Sequence, residues 1–254
     1  MKVIGVASQI ANGKDVLCDY LVKALNKKYD QITIDEYRAA AKTIEQLYVE
    51  SKLNSTTDQD IIAHAAQYRK NKNRWERSAF ANAVKEVFET SFGVTREFTE
   101  NWKRNPESPP GMLQSVRKSL QFIGDGFRQI KSDIWIEIAL RDESKNKIFS
   151  DGRYINEAAA IKARGGIMIV LYRPGFLNDD PNSSEAQIRP IIEFCGKYLE
   201  EGPIPSDLAL KYGAEVPTGI QHYDYFIKND GSIEDLYDKV DKKLVPFIES
   251  IQLQ

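Results

Sequence analysis

Cysteine and histidine are scarce in this 254-residue chain: Cys18 and Cys195, His64 and His222. Two cysteines far apart in sequence do not make a disulfide scaffold. With only two histidines beside them, a zinc site is not expected. Cys18 follows Leu17 in a helical pattern, which suits core packing better than a nucleophile. No apolar run approaches the roughly 18 residues of a membrane span, so no membrane partner is expected. Charge of one sign is not in excess. The net charge is −2, so no basic field draws in nucleic acid. The first residues are strand-like and lack the regions of a signal peptide. With so little cysteine, a reduced, cytoplasmic setting is expected. What remains is ordinary globular composition, 42% apolar and 28% charged. The length suits one large α/β domain or a domain with an insertion.

The stretch from Met1 to Leu21 carries the first chemical signal. Met1 to Ala7 are almost all apolar and β-prone, which predicts a short buried strand. Ser8 to Asn12 break that run. Gly13-Lys14-Asp15 follow, and then Val16, Leu17, Tyr20 and Leu21 at helical spacing. A strand, a tight turn and a helix opening at Gly-Lys is the layout of a phosphate-binding loop. Amides from Ala11 to Val16 would face the anion, and Lys14 would reach its outer phosphates. Two positions depart from G-x-x-x-x-G-K-[ST]. Ser8 replaces the first glycine. Asp15 replaces the hydroxyl that holds Mg²⁺, so Asp15 either holds the ion itself or favours the helix N-terminus.

Further on, Ile32 to Asp35 is a candidate strand, and 36–72 reads as an accessory helical insertion. Residues 74–92 combine a short strand with an amphipathic helix that ends at Gly93. After the proline-rich turn at 105–111, a long helix is expected from about Met112. Leu113, Val116, Leu120, Ile123 and Phe127 mark its apolar face. Arg117, Gln121, Gly124 and Arg128 share another face. That face is either a solvated exterior or one wall of a ligand groove. Lys147 to Ser150, a helix over 156–163 and the strand Ile167 to Tyr172 form a βαβ unit with a parallel sheet. Ligands on such sheets sit at the carboxyl ends of strands. Asp151 and Arg153 therefore share an edge with Lys14. The loop-rich segment 174–219 is the expected mobile cover, and Pro190 is expected to interrupt its helix. A last strand near 222–227 leads through Asn229-Asp230-Gly231-Ser232 to a final helix from Ile233, capped by Ser232.

These pieces, in this order, resemble the deoxynucleoside monophosphate kinases of the bacteriophage type, a branch of the P-loop kinases. The likeness rests on Gly13-Lys14-Asp15 and on Ala79-Phe80-Ala81-Asn82-Ala83-Val84-Lys85. It also rests on Arg117-x-x-Leu120-Gln121-x-x-Gly124-x-x-x-Arg128, Asp133-Ile134-Trp135, Ser150-Asp151-Gly152-Arg153-Tyr154-x-Asn156-Glu157-Ala158 and Asn229-Asp230-Gly231-Ser232. The resemblance implies a single domain over 1–254: a three-layer P-loop kinase fold with a central parallel sheet and helices on both faces. It implies ATP as donor, Mg²⁺ as cofactor and a deoxynucleoside monophosphate as acceptor. Lys14, Arg153, Asp151 and Arg173 are the implied catalytic set, with Asp15 and Asp151 on the metal. Lys85, Arg117, Gln121, Gly124, Arg128, Trp135, Asp151, Arg153 and Glu157 are the implied acceptor site. Trp135 either stacks on the base or joins the core. Glu157 orients Arg153, or forms an ordinary helix pair with it. Arg164, Arg173 and Arg189 are the candidate lid cations, Arg173 first because it ends a strand at the ligand edge.

The resemblance also makes a homodimer possible, and places the protein in the host cytoplasm if a phage encodes it. Two alternatives stay open. The acceptor could be a modified deoxynucleotide, such as a hydroxymethylated pyrimidine, or another small phosphorylated metabolite. The chain could also be an inactive nucleotide-binding regulator.

Overall fold

Val3–Ala7 forms strand β1, and all five residues are buried. A strand covered on both faces has no use for alternation, which is why it reads as one apolar run. A computed structural model describes residues 1–9, 12–30, 74–176 and 183–252. The expected strand at 32–35, the insertion at 36–72 and Ala11 lie outside the described residues.

β1 is central. It pairs in parallel with β3 (Asn146–Phe149) on one side and β4 (Ile167–Tyr172) on the other. β2 (Trp75–Ser78) extends the sheet beyond β3, and β6 (Tyr225–Lys228) extends it beyond β4, again in parallel. The two-residue β5 (Gly202–Pro203) runs antiparallel on the far edge, giving the order β2-β3-β1-β4-β6-β5.

The period of two along a strand sorts its side chains into two cores. Val3, Ala7, Met168 and Val170 face one way, against Ala158 and Ile161 of helix α6 (Ile155–Ala163) and Ile188, Ile191 and Cys195 of α7 (Ser183–Tyr198). Ile4, Val6, Ile169 and Leu171 face the other way. They meet Leu17, Cys18 and Leu21 of α1 (Lys14–Asp30), and Leu236, Val240, Leu244 and Ile248 of the C-terminal helices. The chain is thus a mixed α/β protein with a mostly parallel central sheet and helices on both faces. It is compatible with the expected P-loop kinase fold. Both cysteines are buried, in keeping with core packing.

A third, smaller core lies to the side. Ala83 and Val84 of α2 (Ala81–Phe92) pack on Trp135 of α5 (Ile134–Ala139) and on Leu120 and Ile123 of α4 (Val116–Ile130). The short helix α3 (Arg96–Lys103) leans on the same group. Gly93 ends α2 at φ 64°, a left-handed conformation that suits glycine.

Three expectations are corrected. The long helix starts at Val116, not Met112, because Ser115 caps it and accepts from the Lys118 amide. Leu113 stays outside the helix and is fully exposed. Pro190 does not interrupt α7. It lies on the exposed side, where water can take the carbonyl that its missing N–H leaves over. The segment 174–219 is not loop-rich along its described length. Ile188, Ile192, Phe194, Leu199 and Leu208 belong to the main core, alongside α8 (Leu208–Tyr212). The final helix forms as expected, as α9 (Ile233–Lys239) and α10 (Val245–Gln252) joined by a π-helical turn at Val240–Leu244.

Candidate active site

Five parallel strands point their carboxyl ends at one edge, so the turns after β1, β2 and β3 meet there. The side layer of α2, α3 and α4 rises beside them. Between the two is a cleft of about 810 Å³, within the range that holds a small ligand. Its wall includes Lys14, Asp15, Lys85, Arg117, Gln121, Gly124, Arg128, Asp151, Arg153 and Glu157, all expected at the site.

One end of the cleft is the β1–α1 turn. Gly13 has φ 85°, and a Cβ there would lie 2.6 Å from the Asn229 amide nitrogen. Asn229, just past β6, donates to the Asn12 carbonyl at 2.9 Å. Glycine is thus required twice, by conformation and by space. Asn12 is fully buried, and its side-chain oxygen and nitrogen have no hydrogen-bond partner. The first amides of α1, including those of Lys14, Asp15 and Val16, have no intrahelical acceptor and can face an anion. The Val16 side chain turns away and packs on the second core.

Asp15 lies 3.9 Å from Lys14 and is paired with Arg77, which also contacts Asp19 at 3.0 Å. Arg77 lines the cleft and escaped the sequence reading. Its signal was the one that picked out Arg173, an arginine near the carboxyl end of a strand.

Asp151 has a structural task that the sequence did not announce. Its two oxygens accept from the Phe80 and Ala81 amides, at 2.8 and 2.9 Å, where α2 begins. A carboxylate from the turn after β3 thereby caps a helix that follows the neighbouring strand, satisfying donors that Phe80 itself leaves open. Among the described residues no three His, Cys, Asp or Glu side chains converge as a metal cage. Mg²⁺ rarely needs one, since it keeps waters and takes substrate phosphates as ligands. Asp15, more than half exposed at the mouth of the turn, fits such an ion. Asp151 fits less well, with both oxygens already engaged.

On the opposite wall Arg128 stacks 4.3 Å over the Tyr154 ring and lies 3.4 Å from Asp125 and 3.9 Å from Glu157. A Cβ on Gly124 would come within 3.3 Å of the Arg128 guanidinium, so glycine lets that side chain lie across the helix. Lys85 is ion-paired with Glu100 of α3.

Glu157 is 3% exposed. It does not pair with the Arg153 side chain as an i,i+4 partner. Its Oε2 accepts instead from the backbone amides of Arg153 and Tyr154, at 2.9 and 3.1 Å, closing the start of α6. Burial, helped by the charge of Asp151, pushes its carboxyl up to about 8; the two amides and Arg128 act the other way.

Two expected residues lie elsewhere. Trp135 is 1% exposed, and its Nε1 donates to the Gly124 carbonyl at 2.9 Å. Helical spacing turned the ring into the side core, so no face is left for a base. Arg173 follows β4 but its guanidinium lies 4.0 Å over the Phe176 ring, outside the cleft wall. Arg164 and Arg189 are outside it too, and Arg189 pairs with Glu193. The sequence reading also missed Lys103 and Arg104, which line the cleft from the end of α3. It assigned no element between Gly93 and the turn at 105–111.

No protein-family model matches the chain. A protein of Acanthamoeba polyphaga mimivirus with the name "Putative deoxynucleotide monophosphate kinase" is 27% identical over 149 residues. The match covers 51% of this chain and 77% of that protein. Among the described residues no helix is long and apolar enough to cross a membrane.

Proposed function

We propose that the chain is a kinase that moves the γ-phosphate of ATP onto a deoxynucleoside 5′-monophosphate, giving ADP and the deoxynucleoside diphosphate. One observation carries the reading: a single cleft is walled by Lys14 on one side and by Arg117 and Arg128 on the other. Two anionic groups can meet there with cations at both ends. The mimivirus protein, similar over half of this chain, bears a name of the same activity.

Phosphoryl transfer asks for alignment and charge neutralisation more than for covalent help. Lys14 and the opening amides of α1 hold the donor's outer phosphates. Bound Mg²⁺ supplies further neutralisation of those phosphates, and Asp15 is the residue to hold it, directly or through water. Arg117 and Arg128 grip the acceptor phosphate, which suits their planar forks. Gln121 offers a donor and an acceptor to the base or sugar. An acceptor oxygen attacks the γ-phosphorus in line, that bond forms, and the bond to the bridging oxygen of ADP breaks. Arg153 neutralises the charge in flight. Asp151 holds α2 against the strand ends so that Lys85 stays on the cleft.

A coupled assay with ATP, Mg²⁺ and each of the common and hydroxymethylated deoxynucleoside monophosphates tests this. The expected result is diphosphate formation that falls on the order of 10²-fold or more in Lys14→Met. Binding of ATP without any diphosphate product would instead make the chain a regulator. Phosphorylation of a modified nucleotide alone would narrow the acceptor to that class.

A further inference from the structure

We propose that Lys103, with Lys85 beside it, grips the phosphate of the acceptor nucleotide as a direct binding residue. The inference rests on the kinase reading above and deepens its acceptor site.

Lys103 ends α3 and lines the cleft. Lys85, Glu100, Arg153 and Asp151 line the same cleft and act on the Lys103 charge. Each carboxylate in that group is already engaged. Glu100 pairs with Lys85, and Asp151 bonds to the Phe80 and Ala81 amides. Lys103 makes no ion pair of its own among the described residues. Lys103 and Lys85 therefore share one spoken-for acid, Glu100, at a half-buried spot. Like charges repel, so such a cluster costs stability unless an anion enters. Burial, and next the charge of Lys85, hold the Lys103 ammonium below the ordinary lysine range. An arriving phosphate dianion counters the repulsion and outweighs the burial, because its charge favours the ammonium.

The cluster belongs to the acceptor end. α3 packs on α2 and α4, the helices that carry Lys85, Arg117 and Arg128. Lys14 stands across the cleft, at the head of α1.

The test is calorimetric titration of the full chain with each deoxynucleoside monophosphate and, separately, with ATP and Mg²⁺. Wild type, Lys103→Met and Lys103→Arg are compared, with steady-state kinetics alongside. Lys103→Met should weaken monophosphate binding about tenfold or more and ATP binding less than about twofold, by the usual worth of a charge-assisted contact. KM for the monophosphate should rise more than kcat falls, and Lys103→Arg should recover most of the loss. An unchanged monophosphate affinity in Lys103→Met, in a protein whose wild type turns over, overturns this proposal and leaves the kinase reading standing. An equal loss for ATP and monophosphate overturns it too, since that marks general damage. A wild type that takes no monophosphate overturns the kinase reading and this proposal with it. Lys103→Gln is read by the same criteria should the methionine variant fail to fold.

Discussion

The Glu157 carboxylate stands 3.9 Å from the Arg128 guanidinium while its other oxygen takes the Arg153 amide. One buried acid thus touches both walls of the cleft, the start of α6 and the cleft-facing side of α4. Arg128 reinforces the same tie by stacking over Tyr154, and the protonation state of Glu157 bears on both walls.

Glu157 should make stability depend on pH. Its carboxyl is raised from 4.5 to about 8. Between those values the folded protein keeps a proton that the unfolded chain has released. Stability therefore falls as pH rises through that window, by at most ~1.4 kcal/mol per unit. Glu157→Gln keeps an oxygen for the two amides but has no charge to bury. Urea unfolding across the window should show a weaker slope for Glu157→Gln than for wild type. Parallel slopes would mean that Glu157 is ionised throughout.

Asp151→Ala should destabilise the fold as well as the reaction. It strips two amides at the head of α2 of their acceptor. A charged cap of this kind is worth about 1.5–3 kcal/mol. The urea midpoint should drop accordingly, with no change in slope. A variant as stable as wild type would show that α2 finds another cap.

Gly13→Ala should damage ATP binding more than monophosphate binding. The new Cβ faces two obstacles, a left-handed backbone and the Asn229 amide 2.6 Å away. Asn229→Ala removes only the second. The double variant should recover part of the ATP affinity, with the backbone cost of roughly 1–2 kcal/mol remaining. Titration with ATP of the two single variants and the double one checks this. Full recovery would mean that the turn has no need of its left-handed residue.

Trp135→Phe should lower stability without changing which base is preferred. The ring is core, and the variant leaves the Gly124 carbonyl without its donor. A loss of about 1–3 kcal/mol is expected for that buried group. Monophosphate KM values should rise together, because α4 carries Arg117 and Arg128. A change in their rank order would put the indole back at the base.

The elements with a strong period were legible. β1 and β4 are apolar runs, and the structure buries them on both faces. Ser232 and Gly93 announced a helix start and a helix end by residue type alone. Arg117, Gln121, Gly124 and Arg128 showed a shared face through spacing, and that face lines the cleft. Short-range signals failed where a neighbour from elsewhere decided the matter. Pro190 looked like a break because its exposed side is a property of packing. Trp135 stayed open between core and base, because nothing local reports that Gly124 offers a carbonyl to its Nε1. Lys103 and Arg104 had no pattern to mark them, since α3 is short and followed by a proline-rich turn.

From its residues alone, this chain determined its strongly periodic strands and helices, the apolar stripe of each, and that a Gly-Lys turn opens α1. Those are properties of near neighbours, three or four positions apart at most. Only the folded structure decided that Asp151 caps α2, that Arg77 meets Asp15, and that Glu157 lies between Arg128 and the head of α6. Such pairings join segments far apart in the chain, and they exist because parallel strands bring their carboxyl ends to one edge.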